Sequence, residues 1–104
     1  MKVVKIGQVP RTPHGKGTDS TRQILVSPDS KDLSVNLVHW DEGARGDLHF
    51  HDYGQVLIVQ AGAGVMGTQQ EQKTVAVGDV VFVPAGEPHF HGATKDSTVS
   101  YFSI

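Results

Sequence analysis

His49-Phe50-His51-Asp52-Tyr53-Gly54-Gln55, residues 49 to 55, is the stretch whose reading decides the fold. In an extended segment alternate side chains point to the same face, so His49 and His51 share a face and Phe50 points away. Two adjacent imidazoles form half of a metal site. Gly54 permits a bend, and Gln55 opens the apolar run Val56-Leu57-Ile58-Val59, which offers a third ligand from the start of the next strand. Imidazole nitrogens and an amide oxygen suit a divalent ion such as Mn, Fe, Ni or Zn and are a poor set for Ca or Mg.

Working outward, Leu33 to Trp40 and Gln23 to Ser27 read as strands on either side of the turn signal Ser27-Pro28-Asp29-Ser30. Within the former, Leu33, Val35, Leu37 and His39 share one face, with Ser34, Asn36, Val38 and Trp40 on the other. Neither face is purely apolar, which suits a strand with one face in a packed layer and the other lining a partly polar cavity; His39 and Trp40 either line that cavity or pack, and packing or surface is the expectation for the His39 ring. Val3 to Ile6 is expected to form a short strand, and Arg11 to Ser20 a polar loop or extended arm with a solvated His14. Gly15-Lys16-Gly17-Thr18 lacks the spacing of a phosphate-binding loop and reads as ordinary surface. On the C-terminal side, Gln55 to Ala61, Val65 to Gly67, Lys73 to Val77, Val80 to Val83 and Thr98 to Ile104 read as strands, with Gly62-Ala63-Gly64 as a turn. No window sustains a helical period, and many short strands with Gly and Pro between them predict an all-β antiparallel sandwich or barrel.

With 104 residues, the sequence predicts one domain spanning residues 1 to 104. The net charge of -2 provides no basic stripe for nucleic acid and no polybasic membrane patch. There is no cysteine, so disulfides and thiolate zinc sites are excluded. Without an apolar segment of about 20 residues, no membrane span is expected, and a cytoplasmic location is the default expectation.

Two spaced motifs carry a family resemblance. Gly43, His49, His51, Gln55 and Gly62 match Gly-x5-His-x-His-x3,4-Glu-x6-Gly with Gln in place of Glu, over residues 43 to 62. Gly78, Pro84, Gly86 and His89 match Gly-x5-Pro-x-Gly-x2-His-x3-Asn, with Ala93 where Asn is usual, over residues 78 to 93. In these motifs the chain resembles the cupin superfamily, and within it the small cupins associated with carboxymuconolactone decarboxylases and the manganese-dependent cupin hydroxynitrile lyases. The resemblance implies a double-stranded β-helix, or jelly-roll barrel, with a divalent metal held by His49, His51, Gln55 and His89, manganese being favoured. It also implies pairing into a homodimer. Leu48, Tyr53 and Phe90 depart from those relatives at the pocket wall.

Neutral ligands leave the ion its full charge, so it polarises a bound carbonyl, cyanide or water strongly. His91 shares the extended-strand face of His89 and is the candidate catalytic residue for proton transfer, with a fifth metal ligand, a donor behind the ligands and simple packing as its other readings; Tyr53, His39 and Phe90 are candidate pocket residues. The reading that follows is a metalloenzyme acting on a small organic molecule by Lewis-acid and proton-transfer chemistry. A metal-dependent dioxygenase and a non-catalytic small-molecule-binding or sensing cupin are the alternatives.

Overall fold

In the computed structural model, which describes residues 1–14, 18–26, 30–31 and 33–104, β-strands dominate and no α-helix is present among those residues. The sequence-predicted loop at Gly15 to Gly17 and most of the turn at Ser27 to Ser30 lie outside the described residues. The strands are β1 (Thr12–His14), β2 (Asp19–Leu25), β3 (Val35–Trp40), β4 (Gln55–Gly67), β5 (Gln72–Ala76), β6 (Val80–Val83), β7 (Phe90–Ala93) and β8 (Val99–Ser103).

All pairings are antiparallel, and β4 organises them. Its first half pairs with β6 and β8, extending a layer that continues through β3 and β2 to β1. Its second half pairs with β5 and β7 in the opposing layer. One thirteen-residue strand therefore passes through both layers of a jelly-roll barrel. The expected turn at Gly62-Ala63-Gly64 is instead the crossing point, where β4 bends without ending. The bend depends on Gly62, whose φ is +73°, and a Cβ built there would lie 1.9 Å from the Thr98 carbonyl oxygen. That carbonyl accepts a hydrogen bond from the Ala63 N–H at 3.1 Å, so the close approach ties the two layers together.

Two expectations near the N-terminus are corrected. Ile6–Gln8 forms a short 3-10 turn, and Val3 to Ile6 is not a strand. Residues 12 to 14, expected in a loop because of Pro13, form β1; it pairs only with β2 and so is an edge, where a missing N–H costs no ladder bond. His14 on this strand is exposed.

Strand alternation supplies the core. Leu57 and Val59 from β4, Val99 and Tyr101 from β8, Trp40 from β3, and Met66, Val75 and Ala93 from the opposing layer form one buried cluster. Trp40 Nε1 donates to the Tyr101 hydroxyl at 2.9 Å, satisfying two polar groups inside it. Burial raises the Tyr101 pKa far above the ordinary phenol value, so the hydroxyl stays neutral. The His91 ring lies 5.7 Å from the Tyr101 ring, so the buried histidines border this cluster directly.

Two of the positive-φ glycines, Gly62 and Gly78, separate backbone strain from steric contact, since a Cβ at Gly78 meets nothing within 4 Å. Gly78→Ala is expected to cost about 1 kcal/mol from the left-handed backbone alone. Gly62→Ala adds displacement of the Thr98 carbonyl and is expected to cost about 3 kcal/mol or more. Urea denaturation of the two variants measures the difference, and equal losses would show that the Thr98 contact does not hold the crossing.

Candidate metal centre

A short backbone ladder joins residues 43 to 51 to residues 86 to 94. Gly43 N–H donates to Thr94 O at 2.9 Å, Ala93 N–H to Ala44 O at 2.8 Å, Gly46 N–H to His91 O at 2.8 Å and Gly86 N–H to His51 O at 2.7 Å. At its centre His49 and His89 exchange both hydrogen bonds, at 2.9 and 2.8 Å. Close approach is possible because position 92 is glycine: a Cβ there would lie 2.6 Å from the Ala44 carbonyl oxygen.

This ladder sets one His-x-His pair against another. The His89 ring lies 4.4 Å from His49, 4.9 Å from His51 and 4.8 Å from His91, centroid to centroid, so it is the hub of four imidazoles. The nearest ligand nitrogens of His49, His89 and His91 lie within 4.8 Å of one another, which places three histidines to hold a metal ion. His51 stands beside this trio, its ring stacked on Tyr53 at 4.5 Å with the planes 5° apart.

Backbone carbonyls select the tautomers. His49 Nδ1 bonds Asp47 O at 2.9 Å and His89 Nδ1 bonds Glu87 O at 2.8 Å. A carbonyl only accepts, so each Nδ1 carries the hydrogen and each Nε2 keeps a free lone pair. His51 Nδ1 makes a longer contact of the same kind, 3.5 Å to Tyr53 O. Three buried polar atoms in this part of the chain have no partner: His89 Nε2, His91 Nδ1 and Gln55 Oε1. A buried acceptor without a partner costs about 1–3 kcal/mol; His89 Nε2 and Gln55 Oε1 each have the lone pair that a divalent ion takes, and His91 Nδ1 has it in the tautomer protonated at Nε2. The residues present therefore fit such an ion.

Electrostatics favours the same form. Burial lowers the His91 pKa to about 3, with the neighbouring charges of His89, His49 and His51 acting in the same direction. His89 is also lowered, chiefly by burial, and the bond to Glu87 only partly opposes this. Both rings are neutral at neutral pH and ready to ligate.

Gln55 begins β4 on the face of Leu57 and Val59, and its Nε2 donates to Ser103 Oγ at 2.7 Å. Sequence reading missed Ser103, although its alternation with Tyr101 and Val99 places it on the inner face. Tyr53 is 64% exposed at the rim. Phe90 is partly buried, with the Arg45 guanidinium 5.1 Å from its ring centroid. His39 faces away from the core side taken by its neighbour Trp40; its nitrogens contact Ser100 Oγ at 3.1 Å and Asp41 Oδ1 at 3.2 Å, so a hydrogen-bonded position on the outer face replaces the candidate pocket position. A cavity of about 150 Å³ adjoins His89 and His91 and is walled by Met66, Val75, Val83 and Phe90. Its apolar wall residues also lay beyond sequence reading, because they come from four separate strands.

The family model described as a cupin domain matches residues 36–104. The (R)-mandelonitrile lyase of Granulicella tundricola is 35% identical over 91 residues, covering 85% of this chain and 68% of that protein. Among solved structures, the polyketide cyclase RemF from Streptomyces resistomycificus superposes with a TM-score of 0.87 at 23% identity, covering 99% of this chain and 77% of that one. A cupin-like protein from Thermotoga maritima gives 0.81 at 25% identity, covering 92% and 77%.

The His91 shift predicts how the metal-free protein responds to acid. The folded state takes up this proton only near pH 3, whereas an unfolded histidine does so near 6.5, so between these values the unfolded state holds more protons. Stability is therefore expected to fall as pH drops from 6.5 to 5, by on the order of 1 kcal/mol per pH unit. Urea midpoints across that range test it, and the slope is expected to flatten in His91→Phe. An unchanged slope in the variant would assign the effect to other groups.

Proposed function

This chain belongs to the cupin domain family, and within it we propose a metal-dependent enzyme that acts on a small organic molecule by Lewis-acid and proton-transfer chemistry of the hydroxynitrile-lyase kind. The observation that carries the reading is the cluster of ligand nitrogens of His49, His89 and His91 within 4.8 Å of one another, in which His89 Nε2 is buried without a partner. The mandelonitrile lyase activity of the Granulicella tundricola relative supports the reaction class.

His49, His51, Gln55 and His89 would hold the ion, with manganese the favoured metal. When bound, it supplies a positive charge that stabilises negative charge developing on a substrate oxygen. The carbonyl contacts at Nδ1 keep His49 and His89 in the ligating tautomer, and the Tyr53 ring restrains His51 from the solvent side. His91 has the proton-transfer role. Its Nδ1 is buried, neutral and unpartnered, and its side chain borders the cavity. In cyanohydrin cleavage the substrate O–H proton passes to His91, the C–CN bond breaks with its electron pair leaving on cyanide, and the proton then passes from His91 to cyanide. Aldehyde and hydrogen cyanide result, and His91 returns to its starting form. A cavity of about 150 Å³ matches the size that holds one benzene ring, and its apolar wall suits an aromatic substituent.

A second reading of His91 follows from its place in the trio of clustered nitrogens, where it would serve as a ligand. Manganese loading followed by elemental analysis and a mandelonitrile assay separates the two. His89→Ala is expected to lose the metal. His91→Ala is expected to keep it while kcat falls by about 100-fold or more. Loss of metal from His91→Ala would make that residue a ligand, and no release of benzaldehyde or cyanide with Mn, Fe, Ni or Zn would remove the lyase reading.

A further inference from the structure

Gln55 differs from the histidines around His89 in one chemical respect. An imidazole whose Nδ1–H is bonded to a carbonyl has only Nε2 left to offer. An amide carries a donor and an acceptor in one plane, and a half-turn about its last torsion exchanges them. Which end position 55 presents therefore depends on both of the amide's partners, and how firmly it is held depends on the one at the other end.

In this structure that partner is Ser103. The Nε2 to Oγ hydrogen bond of 2.7 Å is the one the Gln55 side chain makes among the described residues, and Oε1 is left buried without a partner. Ser103 sits on the inner face of β8, following Val99 and Tyr101, which are 0% and 2% exposed. Its direct neighbours across the ladder are Leu57 on β4 and Asn36 on β3. A hydroxyl here interrupts an otherwise apolar row, and it reaches the one polar side chain at the start of β4.

We propose that Ser103 is the positioning residue that fixes the Gln55 amide with Oε1 as its free donor atom, and so sets the affinity for the divalent ion. The proposal rests on the reading of Gln55 as a ligand. A flipped amide would turn two N–H hydrogens, and no lone pair, to the place an ion would take, where they would bond imidazole lone pairs instead. Ser103 anchors the observed orientation by accepting from Nε2 at 2.7 Å; because a hydroxyl can also donate to Oε1, the choice between the two ends would fall to the ion, which takes only a lone pair, and Ser103 then holds the amide in place. Outer partners that orient ligands typically govern affinity by 10- to 100-fold.

The test is Mn2+ titration of the whole chain, with free ion followed by its electron paramagnetic resonance signal. Ser103→Ala is expected to weaken binding by about 10-fold or more, and Ser103→Thr, which keeps the hydroxyl, to stay within about 3-fold of the unaltered protein. In a Gln55→Ala background, Ser103→Ala is expected to change affinity no further, because the group it orients is gone. Unaltered Mn2+ affinity in Ser103→Ala, or an equal loss with and without Gln55, would overturn the proposal while leaving the metal site standing. Failure of the unaltered protein to bind Mn2+ would remove the metal reading and this one together.

Discussion

The pair of backbone hydrogen bonds exchanged by His49 and His89 is the constraint on which the site depends. It joins the end of an irregular segment, residues 43 to 51, to the strand that carries the second histidine motif, and it does so on the one face where both side chains meet. Because the side-chain period is two, pairing 49 with 89 also brings 51 and 91 to that face. A slip of one residue would replace the histidines of one motif with Phe50 or Phe90. A second bridge pairs Arg45 with Gly92, one residue out of step with the first, and there Gly92 lets the Ala44 carbonyl approach too closely for any Cβ.

A site of this kind sits uneasily in a barrel this small. The unpartnered buried acceptors His89 Nε2 and Gln55 Oε1 represent on the order of 2–6 kcal/mol of lost hydrogen bonding, a large part of the entire stability of many domains of this length. The apolar cluster of Trp40, Tyr101, Val99 and Leu57 has to offset that cost at close quarters, since the His91 ring lies 5.7 Å from the Tyr101 ring. The Trp40 Nε1 bond to the Tyr101 hydroxyl keeps the aromatic pair paired next to the histidines.

Much of this was legible in the sequence, and what was not has a physical cause. His-x-His at residues 49 to 51, the Gly and Pro spacing around His89, and the absence of a helical period together specify an all-β barrel with a histidine cluster. The length of β4 was not legible, because Gly62 and Gly64 resemble a turn in sequence while Gly62 in fact bends a strand that continues. Pro13 argued against β1, but the objection holds only for a strand paired on both sides. His39 and Trp40 were known to face oppositely; which of them faced inward depended on β8, whose Tyr101 supplies the partner for Trp40. The roles of Asp47 and Glu87 were hidden altogether, since they act through backbone carbonyls that any residue type would provide.

That last point bears on how the ligand set tolerates Gln at position 55. The tautomers of His49 and His89 are fixed by main-chain groups, so they survive changes of neighbouring side chains. The amide of Gln55 has no such support and relies on one side-chain hydroxyl from another strand. A carboxylate in its place would need no choice of end, because both oxygens accept, and the Ser103 hydroxyl would simply rotate to donate. On the proposed reading of Gln55 as a ligand, Gln in place of Glu would leave the ion less neutralised and the amide anchored from β8. A more electrophilic site and a dependence on Ser103 would then have the same origin.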